Sequence, residues 1–333
     1  MEATIFEKSR NAGGRMSTRR RDGQPSFDHG AQYFTARDER FARYVRSWQQ
    51  QGVVAKWPAS ESAFVVMKDG ESQPKESTIE RYVGCPGMRS VVEHILQGLS
   101  VSFQTTIKKI NCDSKNFWHL HDANNNVHGP FDRLLVATPA PQAVGLLQTI
   151  EDESTCASLL QSIKPIQMNP SWATMVRLDS RLSSEIPWSG AFVHDSLLSW
   201  VARDGSKPQR NAGAGEQLVL HATADWSTAN LERDAEEIAT EMLAEFWRVS
   251  GCGVQEPTHL QAHRWRHAIP VEPAPERTIF TDDLSIGCCG DWLGGPRVEG
   301  AFLSGMAAAG RILGSLSAHE SEDVQAKQRQ LFG

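Results

Sequence analysis

The residues best placed to do chemistry lie near the end of the chain: Cys289-Gly290-Asp291-Trp292, then Leu293-Gly294-Gly295-Pro296-Arg297, then Val298-Glu299-Gly300-Ala301. Leu284 to Cys289 is a short apolar run that stops at a Gly-Asp pair, the pattern of a buried parallel strand. The Gly-Gly-Pro reads as a turn, and from Val298 onward Ala301, Phe302, Gly305, Ala308, Ala309 and Ile312 recur at helical spacing. Strand, glycine-rich turn and helix start, in that order, gather backbone N–H groups and a positive helix end at one place. Such a place suits an electron-rich ring or a phosphate. An ordinary strand-to-helix connection has the same pattern, so the rest of the chain must decide between the two.

A second group lies near the start. Ala3 to Phe6 is strand-like and ends at Glu7, followed by Lys8, Ser9, Arg10 and Gly13-Gly14-Arg15. Two glycines let backbone approach a phosphate, and an arginine adds a fork of donors. In dinucleotide-binding folds the second strand ends in an acid that takes the ribose hydroxyls, about 20 residues after a G-x-G-x-x-G turn. Only six residues precede Glu7, and the chain has no such fingerprint. Arg19-Arg20-Arg21 reads as a solvated face. Phe27-Asp28-His29-Gly30-Ala31-Gln32-Tyr33-Phe34-Thr35 is polar and aromatic about a central glycine. His29 has the chemistry of a base, but a lone histidine beside a turn reads as hydrogen-bonded.

The elements that must position these groups follow from composition and periodicity. At 333 residues the chain is expected to form two domains. A net charge of -6 argues against a nucleic-acid partner. No apolar run approaches the ~18 residues of a membrane span, and Met1 to Arg10 carries no signal-peptide pattern. Six cysteines without ligand spacing read as reduced thiols of a cytoplasmic protein, not as a disulfide frame or zinc site. Ten tryptophans suit an aromatic-lined pocket and plain core packing equally well.

Along the chain, helices are expected at Phe41–Gln51, from Cys85 to Leu99 and at Leu231–Trp247. Strands are expected at Val53–Trp57, Ala63–Met67, Ala173–Leu178 and Leu218–Ala222. Ser100–Phe103, Ile107–Cys112 and Phe117–Leu120 read as hairpin-like strands with a turn at Asn124–Asn126. Leu134–Pro141 reads as a buried parallel strand meeting a turn at its C-terminal end, Arg203–Pro208 as a polar loop, and His263–His267 as the end of a strand-like run.

Taken together and in this order, Phe6-Glu7-Lys8-Ser9-Arg10, Gly13-Gly14-Arg15-Met16, Gly30-Ala31-Gln32-Tyr33-Phe34-Thr35, Gly290-Asp291-Trp292 and Val298-Glu299-Gly300-Ala301 resemble the bacterial renalase-like branch of the flavin amine oxidase superfamily. The resemblance runs from residue 1 to about Leu313. It implies an α/β fold: a discontinuous Rossmann-like FAD-binding domain (1–50, 84–142 and 280–315) with an inserted mixed-sheet substrate domain (51–83 and 143–279), of the p-hydroxybenzoate hydroxylase and amine oxidase kind. The first βα unit is expected to be missing, and 316–333 to be a frayed tail. The cofactor implied is non-covalent FAD, which carries the redox chemistry while the protein binds and orients it. Glu7, Lys8, Gly14, Arg15 and Met16 would hold the adenosine and phosphates. Ile107 would give backbone contacts to adenine, and Gly290 and Asp291 would meet the ribityl and pyrophosphate. Val298, Glu299, Gly300 and Ala301 would face the pyrimidine edge of the ring, with Ala31, Gln32 and Tyr33 beside it.

The activity implied is hydride transfer from isomeric dihydro-NAD(P) to flavin and then to O2, giving H2O2. Trp292, Trp265 and Trp200 are candidates for an aromatic face against the nicotinamide, although packing is the commoner duty for each. Arg264 and Lys207 are candidates for substrate phosphates, each with a solvated charge as the alternative. The partners expected are the small substrate and O2, with no metal, no nucleic acid and no membrane, and a monomer or weak dimer. One rival is a non-covalent FAD amine oxidase; monoamine oxidases attach flavin to a cysteine upstream of the last motif, and His263–Pro270 has none. Another is an N-terminally truncated, non-catalytic remnant that binds FAD poorly, because the glycine turn that cradles the pyrophosphate is absent.

Overall fold

The computed structural model describes residues 2–19, 26–58, 64–182, 188–210, 213 and 215–332, so Arg20 and Arg21 lie outside the described residues. The chain groups into two compact units, Met1–Thr105 with Met168–Ile269, and Thr106–Gln167 with Pro270–Gly333.

The first unit is built on a seven-stranded sheet, in spatial order His259–Pro270, Met168–Leu178, Glu216–Ala222, Leu198–Arg203, Gly190–Val193, Phe64–Lys68 and Glu71–Lys75. Successive side chains on a strand point to opposite faces. One face carries Val65, Met67, Ala191, Val193 and Val201, packed with Ile238, Met242, Phe246 and Val249 of the Ala235–Ser250 helix. The alternate positions Phe64, Phe192 and Trp200 therefore turn to the other face. That helix starts four residues later than its periodicity suggests. Asp234 caps it by accepting from the N–H groups of Glu236 and Glu237, and Gly251 ends it in a left-handed conformation, φ 64°.

The remaining elements of this unit are short. The Glu39–Gln50 helix is capped by Asp38. The helix after Cys85 covers only Arg89–Ile95, because Gly98 adopts a left-handed φ of 79° that turns the chain away. Thr4–Phe6 pairs in parallel with Ser100–Ser102, so this strand is not part of a hairpin as its neighbours in sequence suggest. A parallel pair needs a long crossover between its strands, and here that crossover contains two helices.

The second unit contains a meander of Ile107–Cys112, Trp118–Asp122 and Val127–Phe131, whose turn is fixed by Asp122 accepting from the N–H groups of Asn124 and Asn126 at 2.8 and 2.9 Å. It also contains a three-stranded sheet in which Leu134–Val136 runs parallel to the fully buried Ile286–Cys288, with Ile279–Phe280 antiparallel on the far side. Leu135 is exposed, so the Leu134–Val136 strand is covered on one face only. The last helix runs Val298–Phe332 and continues through the segment expected to fray. Residues 315–332 include no glycine or proline to stop it.

Candidate functional site

In the second unit the strand, turn and helix start expected from the sequence are all present. Parallel strands Leu134–Val136 and Ile286–Cys288 both lead to this place at their C-terminal ends, where open α/β sheets place ligands. The Gly290 N–H donates to Ser304 Oγ at 2.8 Å, and Ser304 donates to the Arg277 carbonyl at 2.5 Å, which fastens the turn to the helix. A Cβ on Gly300 would lie 2.1 Å from the Gly295 carbonyl oxygen, so the helix can start here only with glycine. The first i→i−4 bond of the helix is Ala301 N–H to Arg297 O. The N–H groups of Val298, Glu299 and Gly300 come before that ladder begins. Asp291 and Glu299 are buried. Ile107 opens the first meander strand. Trp292 does not present its ring as a ligand face: it is fully buried and its indole N–H donates to the Thr138 carbonyl at 3.0 Å. Thr138 Oγ1, just beyond the Leu134–Val136 strand, is buried and has no partner.

In the first unit Glu7 extends the Thr4–Phe6 strand by donating its N–H to Ser102 O at 2.9 Å, while Oε1 accepts from Ser9 N–H at 2.7 Å. Lys8 is exposed. Gly14, Arg15 and Met16 form one 3-10 turn. The Arg15 carbonyl accepts from Ala31 N–H at 2.8 Å, and its guanidinium donates to Ala268 O at 2.9 Å. A Cβ on Gly30 would come within 2.0 Å of Arg15 O. Gly14, Arg15, Met16 and Ala31 are thus one local construction, which a central glycine allows.

Beneath it lies a buried charge network that the sequence did not reveal. Lys207, read as a solvated charge or a phosphate contact, is 2% exposed and pairs with Asp204 at 2.6 Å and Asp28 at 3.3 Å. Arg210 pairs with the same Asp28 carboxylate. Thr18 Oγ1 donates to Asp28 at 2.6 Å, and Met88 N–H at 3.0 Å. Burial pushes the Asp28 carboxyl up, but Lys207, Arg210 and these hydrogen bonds outweigh it and hold Asp28 below the ordinary range. For Asp204 burial wins, and its carboxyl is raised. The stretch from Arg203 to Pro208 is therefore an anchored segment and not a solvated loop. Gln32 is held in the same network: its amide nitrogen donates to the Asp28 and Gly30 carbonyls, and its oxygen accepts from Lys207 at 3.3 Å.

Next to this network, three histidines cluster. His29 is not the satisfied turn residue expected, because its Nδ1 is buried without a partner. Its ring meets His263 at 4.8 Å and Trp265 at 5.0 Å. Burial, then His263 and Arg19, push the His29 pKa down to about 3. Burial likewise takes His221 and His263 to about 4. Arg19 is half-buried with its guanidinium 3.5 Å from His263 Nδ1, so it belongs to this cluster and not to a solvated face. Trp265 meets His263 edge to face at 4.5 Å, whereas Arg264 pairs with Glu232 at 2.8 Å. On the sheet face away from the Ala235–Ser250 helix, Tyr33, Trp57, Phe64 and Trp200 form an aromatic group with ring separations of 5.0 to 6.4 Å.

Residues 51–313 match the family described as flavin containing amine oxidoreductase, and residues 1–48 match the NAD(P)-binding Rossmann-like domain. The chain belongs to the flavin-containing amine oxidoreductase family. Its fold is shared with a provisionally named protoporphyrinogen oxidase of Exiguobacterium sp. 255-15, at 12% identity and TM-score 0.69 over 96% of this chain and 93% of that one. It is shared also with an oxidoreductase of Methanosarcina mazei, at 14% identity and TM-score 0.64 over 92% and 94%. A redesigned putrescine oxidase matches at 14% identity and TM-score 0.51 over 71% of this chain and 54% of that one.

FAD is the cofactor of the flavin-containing family. The helix start at Val298–Gly300, the side-chain-free turn at Gly295 and Gly300, and the orphaned Thr138 hydroxyl fit an acceptor-rich group of this kind. The motifs at both ends of the chain were legible in sequence. Arg210, Asp204 and the histidine cluster were not, because their partners lie up to 244 residues away.

Proposed function

We propose that this protein is a renalase-like, FAD-dependent oxidase of isomeric dihydro-NAD(P), with segments 1–50, 84–142 and 280–315 serving the cofactor and 51–83 and 143–279 the substrate. In this reading Glu7, Lys8, Gly14, Arg15 and Met16 contact the adenosine and phosphates. Ile107 serves the adenine, and Gly290 and Asp291 the ribityl and pyrophosphate. Val298, Glu299, Gly300 and Ala301 present the helix start to the pyrimidine edge, with Ala31, Gln32 and Tyr33 near the ring. Held by these residues, FAD would supply the hydride acceptor and the route by which the electron pair reaches dioxygen, giving hydrogen peroxide.

The observation that carries this reading is the pairing of an aromatic group with histidines too weak to act as bases. Tyr33, Trp57, Phe64 and Trp200 offer planar apolar surface. His29, His221 and His263, with pKa values of about 3 to 4, hold no proton at neutral pH and take one up poorly. A dihydropyridine gives up its hydride without first losing a proton, so it needs positioning and no base. An alkylamine arrives as an ammonium and must be deprotonated before it can be oxidised.

The test is to mix holoprotein anaerobically with 6-dihydro-NAD and, separately, with simple amines, and then to admit air. Flavin bleaching by the dihydro isomer, followed by peroxide on reoxidation, is the expected result. Bleaching by amines alone overturns the assignment.

A further inference from the structure

Resting on the reading of a planar hydride donor, we propose that Arg81 and Lys75 select the substrate by charge, admitting planar molecules that carry negative charge and turning away cationic amines. Phe64 lies at the middle of the aromatic group, and Lys75 is its direct partner on the neighbouring edge strand. The Arg81 guanidinium sits 4.5 Å from the Phe64 ring centroid and 5.3 Å from that of Tyr33, and Lys75 Nζ lies 4.2 Å over Phe192. Aromatic faces attract a cation through their negative quadrupole. Here the chain's own cations already occupy those faces.

Two further observations give the sign of the missing partner. Among the described residues neither Arg81 nor Lys75 meets a carboxylate; Arg81 donates only to Ser77 Oγ at 3.3 Å and Ile79 O at 3.2 Å. Three more deeply buried cation sites of this unit are neutralised: Lys207 by Asp28 and Asp204, Arg210 by Asp28, Arg203 by Glu216. Buried donors also lack acceptors at this place: Arg81 Nε, and Nε1 of Trp200, which is 7% exposed. A buried donor without a partner is costly and is normally satisfied by something. Uncompensated positive charge, orphaned N–H groups and flat rings together complement an anion borne on a planar ring system, and they disfavour an ammonium.

The test titrates holoprotein calorimetrically with three probes of one shape: 2-naphthoate, naphthalene-2-carboxamide and 2-naphthylmethylamine. Naphthoate is expected to bind about tenfold tighter than the carboxamide, the worth of one charge-assisted hydrogen bond, and the amine more weakly than either. Arg81→Gln is expected to remove most of the naphthoate advantage while leaving the carboxamide unchanged. Lys75→Gln, on the half-exposed edge strand, is expected to act in the same direction and keeps the test available if Arg81→Gln fails to fold. Trp200→Phe is expected to weaken naphthoate and carboxamide together, which ties both to this aromatic group. Amine binding equal to naphthoate, or a naphthoate-to-carboxamide ratio unchanged in both charge variants, overturns the proposal. If 6-dihydro-NAD leaves the flavin oxidised while naphthoate still binds with this charge dependence, the hydride-donor reading falls and charge selection stands.

Discussion

The indole N–H of Trp265 donates to the backbone carbonyl of His29 at 2.9 Å, joining residues 236 positions apart. The bond pins the turn at Gly30 to the His259–Pro270 strand and fixes the imidazole of His29 in an environment that disfavours its protonation.

That environment has a consequence for stability against pH. The folded pKa values of His29, His221 and His263 lie at about 3 to 4, below the ordinary 6.5, chiefly through burial. The unfolded chain therefore binds protons that the folded chain refuses. Stability is complete above about pH 6.5 and falls as pH drops towards 4, by up to about 1.4 kcal/mol per pH unit for each histidine. Urea midpoints measured across this range should show the slope, and His29→Phe should flatten it by one histidine's share.

Lys207→Met removes the ammonium that Asp28 and Asp204 share and leaves Asp204 without its closest cation. Breaking a buried pair on one side costs about 3–5 kcal/mol. Equilibrium unfolding should show a loss of that order, and adding Asp204→Asn should restore part of it.

Gly30→Ala should be poorly tolerated, since the new methyl would sit 2.0 Å from the Arg15 carbonyl oxygen. Relieving the overlap means shifting the Gly14–Met16 turn, at a cost of about 1–3 kcal/mol. FAD affinity, followed by flavin fluorescence quenching, should weaken in parallel.

Trp292→Phe leaves the Thr138 carbonyl without its donor in a buried place, a loss of about 1–3 kcal/mol. Because the ring is fully enclosed, thermal stability should fall while the KM for substrate stays unchanged.

How far the sequence reached can be judged element by element. Ile286–Cys288, the glycine turn and the Val298 helix start were readable because local pattern alone specifies them. The helix before Leu99 ended early at the left-handed Gly98, and the Ser100–Ser102 strand found a parallel partner 96 positions away; neither periodicity nor spacing encodes such pairings. The same limit hid the charge network. Lys207 and Arg203 to Pro208 look like solvent-facing polarity on paper, and only the fold brings Asp28 and Arg210 to them. Trp292 and Trp265 read on paper as candidates for an aromatic face, with packing the commoner duty; in the fold their indole nitrogens donate to the backbone carbonyls of Thr138 and His29.

The enclosure of Lys207 also makes it a natural reporter. Reagents that acylate amines in water reach an ammonium only where solvent does, so this lysine should stay unlabelled while exposed lysines such as Lys8 react within minutes. Whatever label Lys207 gathers over longer times counts the moments at which this part of the molecule has come open.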